Sequence, residues 1–194
     1  LNKESISSMR PKQLAQKMCY LSQHHSLPSI TVERLILHGR FPHLVYPRSY
    51  TNEDYEICEK SMAQAGILPL RNKNVSALSG GEQQKVFLAM AYSGQADILL
   101  FDEPTTYLDI SCQIELLRTM SELQKNGKTI LTVLHDMNYA LKIADQLVVM
   151  NQGQIVACGT PDEIYHSHII DEVFGISIQR IVEQNGNSHY VTDL

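Results

Sequence analysis

The spacing of apolar positions changes character along the chain, and each change marks an expected element. A polar opening stretch runs into the short apolar segment Met18-Cys19-Tyr20-Leu21, which reads as a strand. Val32 to His38 and Asn52 to Ala65 carry helical spacing, and the second opens at Thr51 and Asp54 in the arrangement of a capping box. The loop from Arg40 to Arg48 lies between them. Gly80 and Gly81 precede a helical run, Glu82 to Tyr92, that ends near Gly94. Strands and helices then alternate. Ile98-Leu99-Leu100-Phe101 is continuously apolar, as a strand covered on both faces must be, and it stops at Asp102-Glu103-Pro104. Ser111 to Lys125 reads as helix, Asn126-Gly127 as a turn, Thr129 to Leu134 as strand and Met137 to Ala144 as helix. This β-α-β-α order predicts an α/β domain with a parallel sheet.

Beyond it, Leu147 to Met150 and Ile155 to Ala157 read as a hairpin around Asn151-Gln152-Gly153-Gln154. Thr160-Pro161-Asp162-Glu163 has the cap, the N1 proline and the N3 glutamate of a short helix. Ile176 to Val182 reads as strand and Asn185-Gly186-Asn187 as a turn. No internal repeat or low-complexity stretch is found. At 194 residues and 43% apolar the chain can bury one core.

A net charge of -5 opposes a main role in holding nucleic acid, which favours a basic surplus. Cys19, Cys58, Cys112 and Cys158 stand far apart with no C-x-x-C spacing, so neither a zinc site nor a disulfide framework is indicated, and a reducing cytosol fits. No apolar run is long enough to span a bilayer, and the first residues lack the apolar centre of a signal peptide. Membrane association is therefore expected through a partner.

Two carboxylates, Asp102 and Glu103, directly after a parallel strand sit at the carboxyl edge of the sheet, where open α/β folds bind ligands. Alone, such a pair is as often a solvated acidic turn. Upstream, Leu78-Ser79-Gly80-Gly81-Glu82 puts a hydroxyl and two glycines at a helix start, where free N–H groups and the helix dipole suit a phosphate. Thr105-Thr106-Tyr107-Leu108-Asp109 follows the carboxylates, and His135 ends the next strand. The remaining histidines, His24, His25, His38, His43, His166, His168 and His189, have no metal-binding spacing.

LSGGE, ILLFDEP, TTYLD and VLHD, in that order, resemble the signature, Walker B, D-loop and H-switch of ABC ATPases. The resemblance covers nearly the whole chain. It implies a P-loop NTPase-like α/β fold with an inserted helical subdomain, here residues 24–92 with the signature, and a catalytic core with a C-terminal segment over residues 93–194. It implies ATP and Mg2+ as cofactors, with Asp102 and Gln23 at the metal, Glu103 as the base that activates water, and His135 at the γ-phosphate. Gln23 resembles the Q-loop glutamine, which also senses the membrane part. Ser79, Gly80 and Gly81 would face ATP bound by the opposite subunit, and Asp109 would cross the dimer interface. Glu82 stands where glutamine is usual and Met90 where arginine is common.

The wording HGRFPH, LAMA and GQIVACGTPDEIY is most similar to ATPases that power uptake of ferric siderophores, haem or vitamin B12. The partners this implies are a second ATPase subunit, transmembrane permease subunits docking on the Gln23 to Pro47 region and the helix from Asn52, and indirectly a substrate-binding protein, all at the cytoplasmic face of the membrane. No nucleic-acid partner is expected.

ATPases of this class also need G-x-x-x-x-G-K-[ST] between a strand and a helix, to cradle phosphates with backbone N–H groups. The only Gly-Lys-Thr is Gly127-Lys128-Thr129, with Glu122 where the first glycine would stand and a helix leading in rather than out. It reads as a helix C-terminus with Gly127 left-handed. The resemblance places the cradle upstream of the part similar to Leu1 to Gln23, so the expectation is a chain lacking the N-terminal strands and P-loop, inactive alone, with exposed apolar strands and poor solubility. Two alternatives stay open: a soluble ABC protein acting on nucleic acid or the ribosome, and a module that no longer hydrolyses ATP.

Overall fold

The computed structural model describes residues 4–23, 28–106, 108–182 and 188–193. His24, His25, Tyr107 and the Asn185-Gly186-Asn187 turn lie outside the described residues. The chain divides into two compact units, Leu1–Val133 and Leu134–Leu194.

The first unit opens with a helix that the polar sequence did not suggest, α1 (Pro11–Lys17). Its start signal is nevertheless present: Pro11 takes the first helical position, and the Gln13 side chain accepts the Arg10 backbone N–H at 3.4 Å. Strand β1 (Met18–Leu21), α2 (Val32–His38) and α3 (Asn52–Gln64) follow. Thr51 and Asp54 form the expected capping box at α3.

Helix α4 (Gly80–Ser93) begins two residues earlier than its apolar spacing suggests. Ser79 is the cap: its backbone N–H donates to the Glu82 carboxylate at 2.9 Å and its hydroxyl accepts the Glu82 N–H at 3.4 Å, which draws both glycines into the first turn. Strand β2 (Ile98–Asp102), α5 (Ile110–Lys125) and β3 (Thr129–Val133) complete the unit.

The three strands form a parallel sheet in the order β1-β2-β3, with Tyr20 level with Leu100 and Leu100 level with Leu131. Leu99 and Phe101 are buried, whereas Ile98 and Leu100 on the other face are half-buried. Strand β2 is thus fully covered on one face rather than on both. Strand β3 exposes apolar side chains as expected, Leu131 by 61% and Val133 by 54%.

Helices α2, α3 and α4 share a core in which Val32, Ile36, Met62 and Val86 are inaccessible. Gly39 lets α2 and α4 meet: a Cβ there would lie 2.2 Å from Ser93 Oγ and 2.3 Å from the Met90 carbonyl oxygen. The buried Ser93 hydroxyl donates to the Ile36 carbonyl at 2.6 Å. Beside it, buried Arg40 donates to Asp54 Oδ1 at 2.9 Å, to the Ser93 carbonyl at 2.8 Å and to Gln95 Oε1 at 2.8 Å.

The second unit runs through α6 (Met137–Ile143), the antiparallel hairpin β4 (Leu147–Asn151) and β5 (Gln154–Gly159), α7 (Pro161–His166), α8 (Ile169–Phe174), and the antiparallel pair β6 (Ser177–Val182) and β7 (Ser188–Asp193). Its core gathers Leu141, Val149, Ile164, Ile170, Ile178 and Tyr190. Helix α8 escaped the sequence reading because it is too short for a period and starts from His168 at φ 57° without a side-chain cap. Among the described residues no helix is long and apolar enough to cross a membrane.

Candidate functional site

In the first unit the polar groups gather where β1 and β2 end. Asp102 is the last residue of β2, and Glu103 after it takes φ 48°, a left-handed conformation that a side chain adopts only against a steric cost. The parallel register, continued two residues past Leu21 and Phe101, brings Gln23 level with Glu103. Their side chains meet: Gln23 Nε2 donates to Glu103 Oε2. The Thr106 hydroxyl donates to the same oxygen at 3.3 Å from the turn that follows. One strand residue earlier, the Tyr20 hydroxyl donates to Asp102 Oδ2 at 2.9 Å.

A second group lies at two helix starts. Ser79, Gly80 and Gly81 form the cap and first turn of α4. The Ser79 N–H, and after it the Ser79 hydroxyl, hold the Glu82 carboxyl below the usual carboxylate range. Asp109 caps α5: its Oδ1 accepts the Ser111 hydroxyl at 2.6 Å and the Cys112 N–H at 2.9 Å, and these bonds lower its own pKa. The two starts are in contact, since a Cβ on Gly81 would lie 2.7 Å from Cys112 Sγ.

His135 belongs to the second unit, on the exposed stretch before α6, where Asp136 caps the helix by accepting the Asn138 N–H at 2.8 Å. Gly127-Lys128-Thr129 is the helix end that the sequence suggested. Gly127 takes φ 83°, and the Lys128 ammonium reaches Asp97 at 3.2 Å. Tyr20, Thr106 and Cys112 are additions. Tyr20 was legible in principle, since period-two alternation puts it on the same face as Asp102; Thr106 and Cys112 act through a turn and a helix contact that no spacing reveals.

These residues suit a hydrated Mg2+ ion. Asp102 offers a carboxylate and Gln23 an amide, both hard oxygen donors at one sheet edge. Among the described residues no cluster of three or more histidine, cysteine or acidic side chains could hold a metal by itself.

Residues 1–106, more than half of the chain, match the family described as ABC transporter. The chain belongs to this family. The ABC chain is 39% identical over 178 residues to the ferric enterobactin transport ATP-binding protein FepC of Escherichia coli (strain K12), covering 91% of this chain and 66% of that protein. It is 37% identical to the petrobactin import ATP-binding protein FpuD of Bacillus anthracis, over 92% of this chain and 66% of that one. It is 35% identical to the iron(3+)-hydroxamate import ATP-binding protein FhuC of Bacillus subtilis (strain 168), over 96% and 70%.

The chain thus spans about two thirds of the length of these relatives. Among solved structures, it resembles an inward-facing metal-chelate type ABC transporter with TM-score 0.83 at 22% identity, over 92% of this chain and 72% of that one. It also resembles an ATP-binding cassette in its ADP conformation, with TM-score 0.74 at 22% identity, over 89% and 72%. At these identities the likeness establishes the fold, an α/β domain on a parallel sheet.

Proposed function

We propose that this ABC chain is the ATP-hydrolysing subunit of an importer that takes up a ferric siderophore or a related iron compound. The observation that carries the reading is the joining of Gln23 to Glu103, beside Asp102, at the carboxyl edge of a parallel sheet. The substrate class rests on relatives named for enterobactin, petrobactin and iron-hydroxamate transport.

Asp102 would hold Mg2+, largely through water. When bound, the ion neutralises phosphate oxygens as charge builds on them. Glu103 orients the attacking water and takes its proton. Gln23, hydrogen-bonded to that carboxylate, keeps it turned toward the water and links it to the membrane partner. His135 meets the γ-phosphate and ties its presence to closure of the pair. Ser79, Gly80 and Gly81 offer a hydroxyl and backbone N–H groups to ATP held by the opposite subunit, and Asp109 crosses the interface.

The 194 residues contain no G-x-x-x-x-G-K-[ST] sequence, so the phosphates need a cradle that these residues do not supply, and the chain alone does not turn ATP over. The permease docks near Phe41, Val45 and Tyr46, which are 51%, 74% and 96% exposed, and along α3. The subunit works on the cytoplasmic face of the membrane, and a substrate-binding protein is an indirect partner. The test is uptake of radioiron-labelled siderophores by cells that depend on this protein. Loss of uptake with Glu103→Gln supports the reading, and uptake unchanged by it refutes the assignment.

A further inference from the structure

The Tyr20 hydroxyl has no part in the roles assigned above, yet it is bonded to the carboxylate that the proposed chemistry places at the metal. Tyr20 is level with Leu100 across β1 and β2, and Asp102 stands two residues farther along β2 on the same face. This diagonal neighbour lies at the distance that a long aromatic side chain spans and a short one does not. The bond, 2.9 Å long, runs from Tyr20 Oη to Asp102 Oδ2. A carboxylate at a strand end turns about its own side-chain bonds, and with one oxygen tied to a rigid neighbouring strand it loses that freedom.

We infer that Tyr20 is a positioning residue for the metal: by holding Oδ2 of Asp102 it fixes the carboxylate in the orientation that meets a hydrated divalent cation. The inference rests on the proposed role of Asp102. Tyr20 acts before the ion arrives, by reducing the number of orientations that binding must select. A neighbouring pair, Gln23 and Glu103, is tied by the same two strand ends. Tyr20 in β1 and Gln23 just after it thereby steady the two carboxylates, each through its own donor.

The experiment measures Mn2+ as a spin-active stand-in for Mg2+, by electron paramagnetic resonance in the presence of ATP, on the protein in its assembled complex. The chains compared are wild type, Tyr20→Phe, Asp102→Asn and the double variant. Tyr20 is 59% exposed, so loss of its hydroxyl leaves the strand packing intact. The expected result is roughly three- to tenfold weaker Mn2+ binding for Tyr20→Phe, the effect of losing one solvent-exposed hydrogen bond of ordinary strength. Affinity for ATP without metal is expected to stay unmoved, and Tyr20→Phe to have no further effect once Asp102→Asn is present.

If Asp102→Asn weakens Mn2+ binding and Tyr20→Phe does not, the inference is overturned while the reading of Asp102 stands. A loss of metal-free ATP affinity in Tyr20→Phe, or an equal Tyr20→Phe effect in the Asp102→Asn background, makes the tyrosine merely structural and also overturns it. If Asp102→Asn leaves Mn2+ binding unchanged, the reading of Asp102 falls and the inference with it.

Discussion

Gln23 and Glu103, 80 residues apart, share a hydrogen bond because β1 and β2 run parallel and end together. Glu103 takes its place in that bond at φ 48°, a conformation natural to glycine and costly to any side chain. Glu103→Gly is therefore expected to be more stable than Glu103→Ala, by about 1 kcal/mol, because the two differ only in the Cβ that the conformation penalises. Urea denaturation of both variants measures this. Equal stabilities would mean that the backbone there carries no strain.

The buried pair Arg40 and Asp54 is expected to dominate the stability of the helical part. Removing the guanidinium with Arg40→Met leaves the Asp54 carboxylate buried, at a cost of about 3–5 kcal/mol. Burial by itself would raise the Asp54 pKa, but the Thr51 N–H, the Arg40 guanidinium and the Thr51 hydroxyl together bring it below its ordinary value. A lowered carboxylate pKa stabilises the fold above the unfolded value, near pH 4, and the benefit fades as pH falls below it. Wild type should thus lose stability from about pH 4 downward, and Asp54→Asn should lose less over that range. Parallel pH profiles for the two proteins would contradict this.

Gly81 and Cys112 make a steric pair. Gly81→Ala drives a methyl group to within 2.7 Å of Cys112 Sγ, so the thiol must turn away, at a cost expected to be about 1 kcal/mol. Adding Cys112→Ala removes the sulfur and should restore most of the loss. Thermal denaturation of the two single variants and the double variant reads the coupling directly. Purely additive effects would show that the signature turn and the start of α5 do not bear on each other.

Strand β3 leaves Leu131 and Val133 largely exposed on a sheet edge, a feature that invites association with another strand. Purified alone, the chain is expected to self-associate, and Leu131→Lys to shift it toward monomer in sedimentation without changing its circular dichroism. A monodisperse wild-type chain would oppose the expectation.

Much of this was legible in the chain itself, for reasons that differ by element. The strand at Ile98 and the helix from Asn52 announce themselves through an apolar run and a capping box, both local signals. Helix α1 has its signal too, but Pro11 and Gln13 sit in a polar stretch where no period draws the eye. The site carboxylates followed from their order beside LSGGE and VLHD. The bonds of Gln23 to Glu103 and of Tyr20 to Asp102 did not, because they depend on which strands pair and in what register, and a parallel register is invisible until the crossover is known.

As one half of an ATP-hydrolysing pair, this chain should lend its Ser79-Gly80-Gly81 turn to ATP held by the other subunit. The deciding measurement is Mg2+-dependent ATP hydrolysis by the chain alone, and by the chain mixed with an intact importer ATP-binding subunit whose own signature serine has been disabled. The expected result is no hydrolysis by either protein alone and clear hydrolysis by the mixture, lost again when this chain carries Ser79→Phe. Hydrolysis by the 194-residue chain alone, or a mixture indifferent to Ser79, would contradict it.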